Sequence, residues 1–285
     1  MESKIIYENV MNLIEQASTV LPDDVQEAIK RAYQAEEDGT KAKNALEIII
    51  ENIRLAKENH LPICQDTGTL IFYVDCPEGF SQRLIKEDII KAVRDSTKKG
   101  ILRPNAVDPV TQRNSGDNTG PGSPYIHFEE TGGDEVRIRL ILKGGGSENV
   151  SIQYSLPNSE LKAGRDVQGI RKCILDAAFR AQGFGCAPGI LAVGIGGDRM
   201  TSYMCAKEQL FRRLDDTNPD DTLKEMEEEI LNMANMLGIG PMGFGGKTTV
   251  LGVKIGKRQR VPASFFVSVA YMCWAYRKSE IRFRI

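Results

Sequence analysis

Thiols are the groups in this chain best able to do chemistry. There are six, Cys64, Cys76, Cys173, Cys186, Cys205 and Cys273, against only two histidines, His60 and His127. No two cysteines form a Cys-x-x-Cys pair, so neither a zinc ribbon nor a dithiol redox motif is written here. Two histidines leave little room for a His-rich zinc or iron centre, and neither lies in a context that suggests a Ser-His-Asp arrangement. Any metal would be held largely by thiolate. Context separates the six. Cys64 lies in Leu61-Pro62-Ile63-Cys64-Gln65-Asp66-Thr67-Gly68, where a proline-ended helix meets a strand. Cys186 lies in Gly185-Cys186-Ala187-Pro188-Gly189, directly before a strand, and Cys273 follows a strand beside Trp274, the single tryptophan. Cys173 and Cys205 fall inside helical patterns and read as small core residues. Cys76, between Asp75 and Pro77, reads as a turn residue. On spacing alone the three element-end thiols fit either a metal site or buried structural cysteines.

Three glycine-rich segments could bring backbone N–H groups onto an anion: Lys143 to Asn149, Gly194 to Asp198, and Gly238 to Thr249. Two of them imitate nucleotide motifs and fail on inspection. Gly194-x-Gly196 follows a strand and precedes a helix, but the third glycine of a dinucleotide fingerprint would fall on Arg199. Gly246-Lys247-Thr248 resembles the end of a phosphate-binding loop, yet the first glycine of that motif would fall on Pro241, and a strand pattern follows where a helix is required.

These loops need elements to hold them. Ile6, Val10, Leu13, Ile14 and Ala17 recur at helical spacing, as do Val25, Ala28, Ile29, Ala32 and Tyr33 before Gly39. A third helix is expected from Thr40 to about Asn59, stopped by Pro62. The pattern then predicts strands at Leu70–Val74, Val136–Leu142, Ile190–Ile195, Thr248–Ile255 and Phe265–Tyr271. It predicts helices at Ile85–Lys99, Arg165–Gln182, Thr201–Leu214 and Leu223–Leu237. The expected fold is α+β, a helical N-terminal layer over about 1–60 packed on a mixed α/β body, with 1–285 forming one domain and no sharp linker. Hydrophobic residues at 41% and charged residues at 27% are ordinary for a globular protein. A net charge of −2 gives no pull toward nucleic acid or an anionic membrane. No apolar run reaches the ~18–20 residues that span a bilayer, and no signal-peptide core opens the chain, so a cytoplasmic location is expected.

Six segments, read in order, carry a resemblance. Cys64-Gln65-Asp66-Thr67-Gly68, Leu102 to Val107, Asn118-Thr119-Gly120, Lys143 to Asn149, Leu237 to Gly240 and Cys273-Trp274-Ala275 are similar to those of class I iron–sulfur fumarate hydratases and tartrate dehydratases. The likeness runs from about Leu21 to Lys278. Each piece alone is weak, but the ordered set is specific, and the chain resembles the α subunit, or N-terminal half, of that family.

The resemblance implies a [4Fe–4S] cluster held by Cys64, Cys186 and Cys273. Three ligands for four irons would leave one iron open as a Lewis acid for reversible hydration of fumarate to malate, a step of the tricarboxylic acid cycle. It implies Asp66 as the group that exchanges a proton with the hydroxide, the alternative being a turn-forming aspartate before Thr67-Gly68. Gln65, Arg103 and the backbone of Gly146 are implied as substrate contacts. Arg103 suits a carboxylate because its guanidinium is a two-pronged donor, and otherwise reads as a surface arginine after a helix. In single-chain relatives a second domain follows, whereas this sequence stops soon after Cys273. A separate β subunit is therefore expected to bring the base for the C3 proton, in an α2β2-type oligomer, and the tail Ser279–Ile285 reads as a docking segment or a frayed end. One position departs from the family. Where relatives commonly have Arg-His-Pro-Ala-Ser, with the His in the substrate site, this chain has Arg260-Val261-Pro262-Ala263-Ser264. That leaves three alternatives: a dicarboxylate held differently, a divergent member with another substrate such as the hydroxy-dicarboxylate tartrate, or reduced activity. Val261 also encourages the reading of a non-catalytic cluster-binding subunit. The intact run Gly144 to Asn149 leans toward fumarate.

Overall fold

The computed structural model describes residues 2–284; Met1 and Ile285, the last residue of the expected tail, lie outside the described residues. In chain order the elements are α1 (Glu2–Thr19), α2 (Asp23–Ala35), α3 (Lys41–Asn59), β1 (Thr69–Pro77), α4 (Gln82–Lys98), β2 (Tyr125–Thr131), β3 (Glu135–Lys143), α5 (Gly145–Asn149) and β4 (Ile152–Ser155). There follow α6 (Val167–Ala181), β5 (Gly189–Gly196), α7 (Arg199–Gln209), α8 (Asp221–Asn235), β6 (Val250–Arg258), β7 (Phe266–Met272) and β8 (Lys278–Arg284). The fold is α+β. The chain divides into two compact units that take it in turns: Met1–Pro22, Asn52–Gly145 and Ala275–Ile285 form the first, Asp23–Glu51 and Gly146–Trp274 the second. The N-terminal helices are shared out accordingly, with α1 in the first unit, α2 in the second, and α3 crossing the division.

The first unit is built on a sheet of order β2-β1-β3-β8, in which β1 runs parallel to β2 and antiparallel to β3. Alternation along the strands sorts the faces. Leu70, Phe72 and Val74 of β1 and Val136, Ile138 and Leu140 of β3 bury against Ile6, Val10 and Ile14 of α1 and Ile85 and Ile89 of α4. The other face carries charge, paired as Arg139 with Asp75 at 2.8 Å and Arg137 with Glu280 at 2.6 Å. Two expectations are corrected here. Cys76 is a buried residue of β1, not a turn residue. The tail is neither frayed nor free: β8 pairs antiparallel with β3, and Ile281 and Phe283 pack on the core.

The second unit has a sheet of order β4-β7-β5-β6, with β5 parallel to β6 and antiparallel to β7. Every residue of β5 is buried, because helices cover both faces, which is why it reads as one continuous apolar run. Ile170, Cys173 and Ile174 of α6 and Met226 and Ile230 of α8 meet Leu191, Val193 and Ile195 on one face. Helix α7 lies on the other, Ser202 donating its hydroxyl to the Gly194 carbonyl at 3.1 Å. The expected helix Thr201–Leu214 stops at Gln209, since the N–H groups of Leu210, Phe211 and Arg212 reach only three residues back. Strand β6 begins at Val250 rather than Thr248. The N–H groups of Lys247 and Thr248 both donate to the Glu36 carboxylate, at 2.7 and 2.9 Å. A carboxylate of the chain itself thus occupies the loop that imitates a phosphate site.

Candidate functional site

Burial divides the cysteines as their contexts do. Cys76, Cys173 and Cys205 are buried, whereas Cys64, Cys186 and Cys273 are partly exposed, and none of the six is in a disulfide among the described residues. Burial raises the Cys76 and Cys205 thiols and pushes Cys173 up to about 12, so those three stay protonated and unreactive at neutral pH.

Within the second unit, strand pairing brings Cys186 and Cys273 together. Because β5 and β7 are antiparallel and Ile190 faces Met272, the loop that leads into β5 from Cys186 and the residue after β7, Cys273, arrive at the same end of the sheet. Helix α6 gives way to a single tight turn, Gln182–Gly185, and Cys186 follows in the left-handed region at φ 53°. The N–H of Trp274 donates to the Cys186 carbonyl at 3.3 Å, and the N–H of Cys273 donates to the Ser147 hydroxyl at 3.1 Å. Tyr271 sits beneath the pair. Its ring and hydroxyl lie 2.4 and 2.2 Å from where methyl groups on Gly185 and Gly189 would stand, so the Cys186 loop is moulded around it. Burial, then the neighbouring Cys273 and Cys186, raise the Tyr271 hydroxyl well above the usual phenol range. Gly146 belongs to the same neighbourhood, a methyl there standing 3.5 Å from the Phe184 carbonyl oxygen.

The first unit holds Cys64, Gln65, Asp66 and Arg103. The N–H of Ile63 donates to the Ser18 carbonyl at 3.0 Å, and the Asn52 amide donates to the Ile63 carbonyl at 2.9 Å, which fixes the approach to Cys64. Asp66 does serve a turn, its Oδ1 accepting from the Gly68 N–H at 3.0 Å, and its Oδ2 also accepts from the Gly145 N–H at 2.7 Å. Gln65 and Arg103 are exposed. The Thr67 hydroxyl accepts from the Arg103 N–H at 3.0 Å, so Arg103 is rooted one residue from Asp66. Beside them Gly68, Asn105, Asn114, Asn118 and Tyr125 help to line a cavity of about 590 Å³.

Sequence reasoning passed over Arg277. It is 1% exposed, and its Nη1 has no hydrogen-bond partner among the described residues. A methyl on Gly144 would stand 3.0 Å from Asp66 Oδ2 and 3.6 Å from Arg277 Nη2, so the buried guanidinium and the carboxylate flank one glycine. Only an arginine four residues past Cys273 signals it in the sequence. Val261 is 64% exposed in the turn after β6, where Arg260 folds back onto the carbonyls of Val261 and Pro262. Among the described residues no three His, Cys, Asp or Glu side chains are arranged around a single ion. Thiolates of a four-iron cluster bind separate irons and stand further apart than the ligands of one ion.

A sequence profile of the fumarate hydratase (Fumerase) family matches residues 7–282. The chain is 56% identical over 277 residues to a protein of Geobacillus stearothermophilus provisionally named fumarate hydratase class I, covering 96% of this chain and 54% of that one. It thus spans about half the length of that relative. It is 35% identical to a protein of Methanocaldococcus jannaschii provisionally named L(+)-tartrate dehydratase subunit alpha, covering 97% of this chain and 96% of the other. The L(+)-tartrate dehydratase subunit alpha of Escherichia coli K12 is 30% identical, with 96% and 89% covered. On a match that runs through both units from α1 to β8, the chain belongs to the fumarate hydratase (Fumerase) family.

Proposed function

We propose that this chain is the α subunit of a cytoplasmic iron–sulfur hydro-lyase, adding water reversibly to fumarate, with Cys64, Cys186 and Cys273 as ligands of a [4Fe–4S] cluster. The observation that carries the reading is the pair of partly exposed thiols, Cys186 and Cys273, brought to one end of the sheet by the β5–β7 pairing, in a chain where Cys76, Cys173 and Cys205 are buried. The donor set fits the group: thiolates suit iron–sulfur ligation, and the backbone around Cys186 and Cys273 is tied down by hydrogen bonds. When bound, such a cluster supplies a Lewis acid, since three thiolates leave one of its four irons without a protein ligand.

The chain's own residues supply the rest. Asp66, whose two oxygens accept from backbone N–H groups, is the group we assign to exchange a proton with the hydroxyl of malate. Arg103 offers an exposed guanidinium with no ion-pair partner among the described residues, able to grip a carboxylate through two parallel hydrogen bonds. Gln65 adds an exposed amide for the substrate, and Gly146 brings backbone close to it without a side chain in the way. The partner is a β subunit, as the names of the tartrate dehydratase relatives suggest, in an α2β2-type assembly.

Tartrate is the second reading. It is favoured by the end-to-end match to the Methanocaldococcus protein and by Val261 in place of the histidine expected of fumarases. Fumarate is favoured by 56% identity to the Geobacillus protein and by the intact run Gly144 to Asn149. Turnover of malate and of L(+)-tartrate by the complete enzyme, measured anaerobically after cluster reconstitution, decides between them. Activity on malate alone supports the proposal; activity on tartrate alone replaces it, and a bound cluster with neither activity points to a non-catalytic subunit.

A further inference from the structure

Two of the family-like segments, Leu102 to Val107 and Asn118 to Gly120, contribute only Arg103 to the proposed chemistry. We propose that Asn118 is a positioning residue that, with Thr67, fixes the root of Arg103 beside Asp66. Asn118 is 2% exposed and adopts a left-handed backbone at φ 61°, a conformation asparagine tolerates better than most residues. Its side-chain amide makes every bond it can. Oδ1 accepts from the N–H groups of Asn105 at 2.6 Å and Ala106 at 3.2 Å. Nδ2 donates to the Thr97 hydroxyl at 3.0 Å and to the Arg103 carbonyl at 2.9 Å.

The consequence for Arg103 is specific. Its N–H is held by Thr67 and its C=O by Asn118, so the peptide groups on both sides of its Cα are fixed, and with them the direction in which the side chain leaves. Thr67 ties this point to the Asp66 segment, and its hydroxyl also accepts from the Asn105 amide at 3.1 Å. Asn118 ties it to the last turn of α4 through Thr97. The guanidinium itself stays exposed and free for a ligand. An irregular connection from Lys98 to Tyr125 is long for a compact domain, and a single buried amide pins its start. Aspartate keeps the two acceptor contacts but loses both donor contacts, and leucine loses all four, leaving the N–H groups of Asn105 and Ala106 without their acceptor.

The role as substrate clamp rests on the function proposed above, whereas the positioning does not, and the test separates them. In the full chain, Asn118→Asp takes the amide donor from the Arg103 carbonyl. It is expected to speed exchange of the Arg103 N–H by about 10-fold, the scale of one lost hydrogen bond, while the Asn105 and Ala106 N–H groups keep their acceptor and β3 is unchanged. In the complete enzyme the same variant should raise KM for malate by about 10-fold or more, with kcat within about threefold, and add less than about twofold in an Arg103→Lys background. Thr67→Val probes the other end of the clamp and serves if Asn118→Asp does not yield folded protein. Unchanged exchange of the Arg103 N–H, or multiplicative effects in the double variant, would overturn the proposal. If unmodified enzyme turns over neither malate nor tartrate, the function reading falls, and the exchange measurement alone decides whether Asn118 positions Arg103.

Discussion

Asp66 carries two loads, and separating them is the sharpest test of its role. Its oxygens hold the N–H groups of Gly68 and Gly145, so an isosteric Asp66→Asn change keeps one acceptor and replaces the other with a clashing donor. Losing one such bond costs about 1 kcal/mol of stability, whereas losing a general acid–base group costs about 10²–10⁴-fold in turnover. The expected outcome is a melting temperature lowered by a few degrees, an intact cluster spectrum, and turnover down by that range. A near-normal rate would reassign Asp66 to turn structure alone. The thiols allow a parallel comparison. Cys186→Ser and Cys273→Ser are expected to abolish the iron–sulfur absorbance of reconstituted protein, while Cys173→Ser and Cys205→Ser keep it, because the latter two lie deep in helix–sheet packing. Cluster loss only in the helical pair would show that the ligands have been misassigned. The sequence already separated these cysteines by context, since a thiol at the end of an element differs from one on a helix's apolar stripe. Arg277 was illegible there, because its burial beside Asp66 depends on β8 joining a strand far back in the chain.

Elements with a strong apolar period were legible: α1, α2, α3, α4, α6, α8, β1, β3, β5 and β7 lie where the pattern put them, within a few residues. The strands it missed share a cause. β2 is a half-exposed partner of β1, β4 is four residues long, and β8 alternates Ile281 and Phe283 with charged residues that resemble a solvated tail. Each is specified by the sheet edge that accepts it more than by its own residues. Glycines show the same dependence. Gly194 looked like part of a nucleotide fingerprint, yet its role is to let α7 lie against β5. A methyl there would stand 2.0 Å from the Ser202 carbonyl oxygen, whereas one on Gly132 would meet nothing within 4 Å. Gly194→Ala should therefore lower the unfolding free energy by about 1–3 kcal/mol or more, as overpacking does, and Gly132→Ala should change it by no more than about 0.5 kcal/mol. Denaturant midpoints of the two variants, compared with the parent, check the pair, and equal midpoints would mean that α7 shifts freely on the sheet.

At the scale of the whole molecule, the chain passes between two units at Pro22–Asp23, inside α3, at Gly145–Gly146 and at Trp274–Ala275, and no change in composition marks any of these points. The residues proposed above fall in both units: Cys64, Asp66 and Arg103 in the first, Gly146, Cys186 and Cys273 in the second. Under the proposed function this set serves only the hydroxyl side of malate. Removing a proton from the carbon next to a carboxylate requires a positioned base and cations to stabilise the developing charge, and Asp66 cannot serve both ends of the bond. Nearly half of the Geobacillus relative lies outside the region matched here, while the α subunits of tartrate dehydratase match over most of their length. Under the proposed function, the base for the C3 proton is expected from a β subunit. Reconstituted α alone is expected to show the cluster absorbance yet to dehydrate malate at less than about one hundredth of the complete enzyme's rate, the lower end of what a lost general base costs. Adding β should raise the rate steeply and saturate near one β per α, and air should then abolish it, because an iron without a protein ligand is the one most easily oxidised and lost. Full activity from α alone would sink the split site, and activity that survives prolonged aeration would sink the open iron.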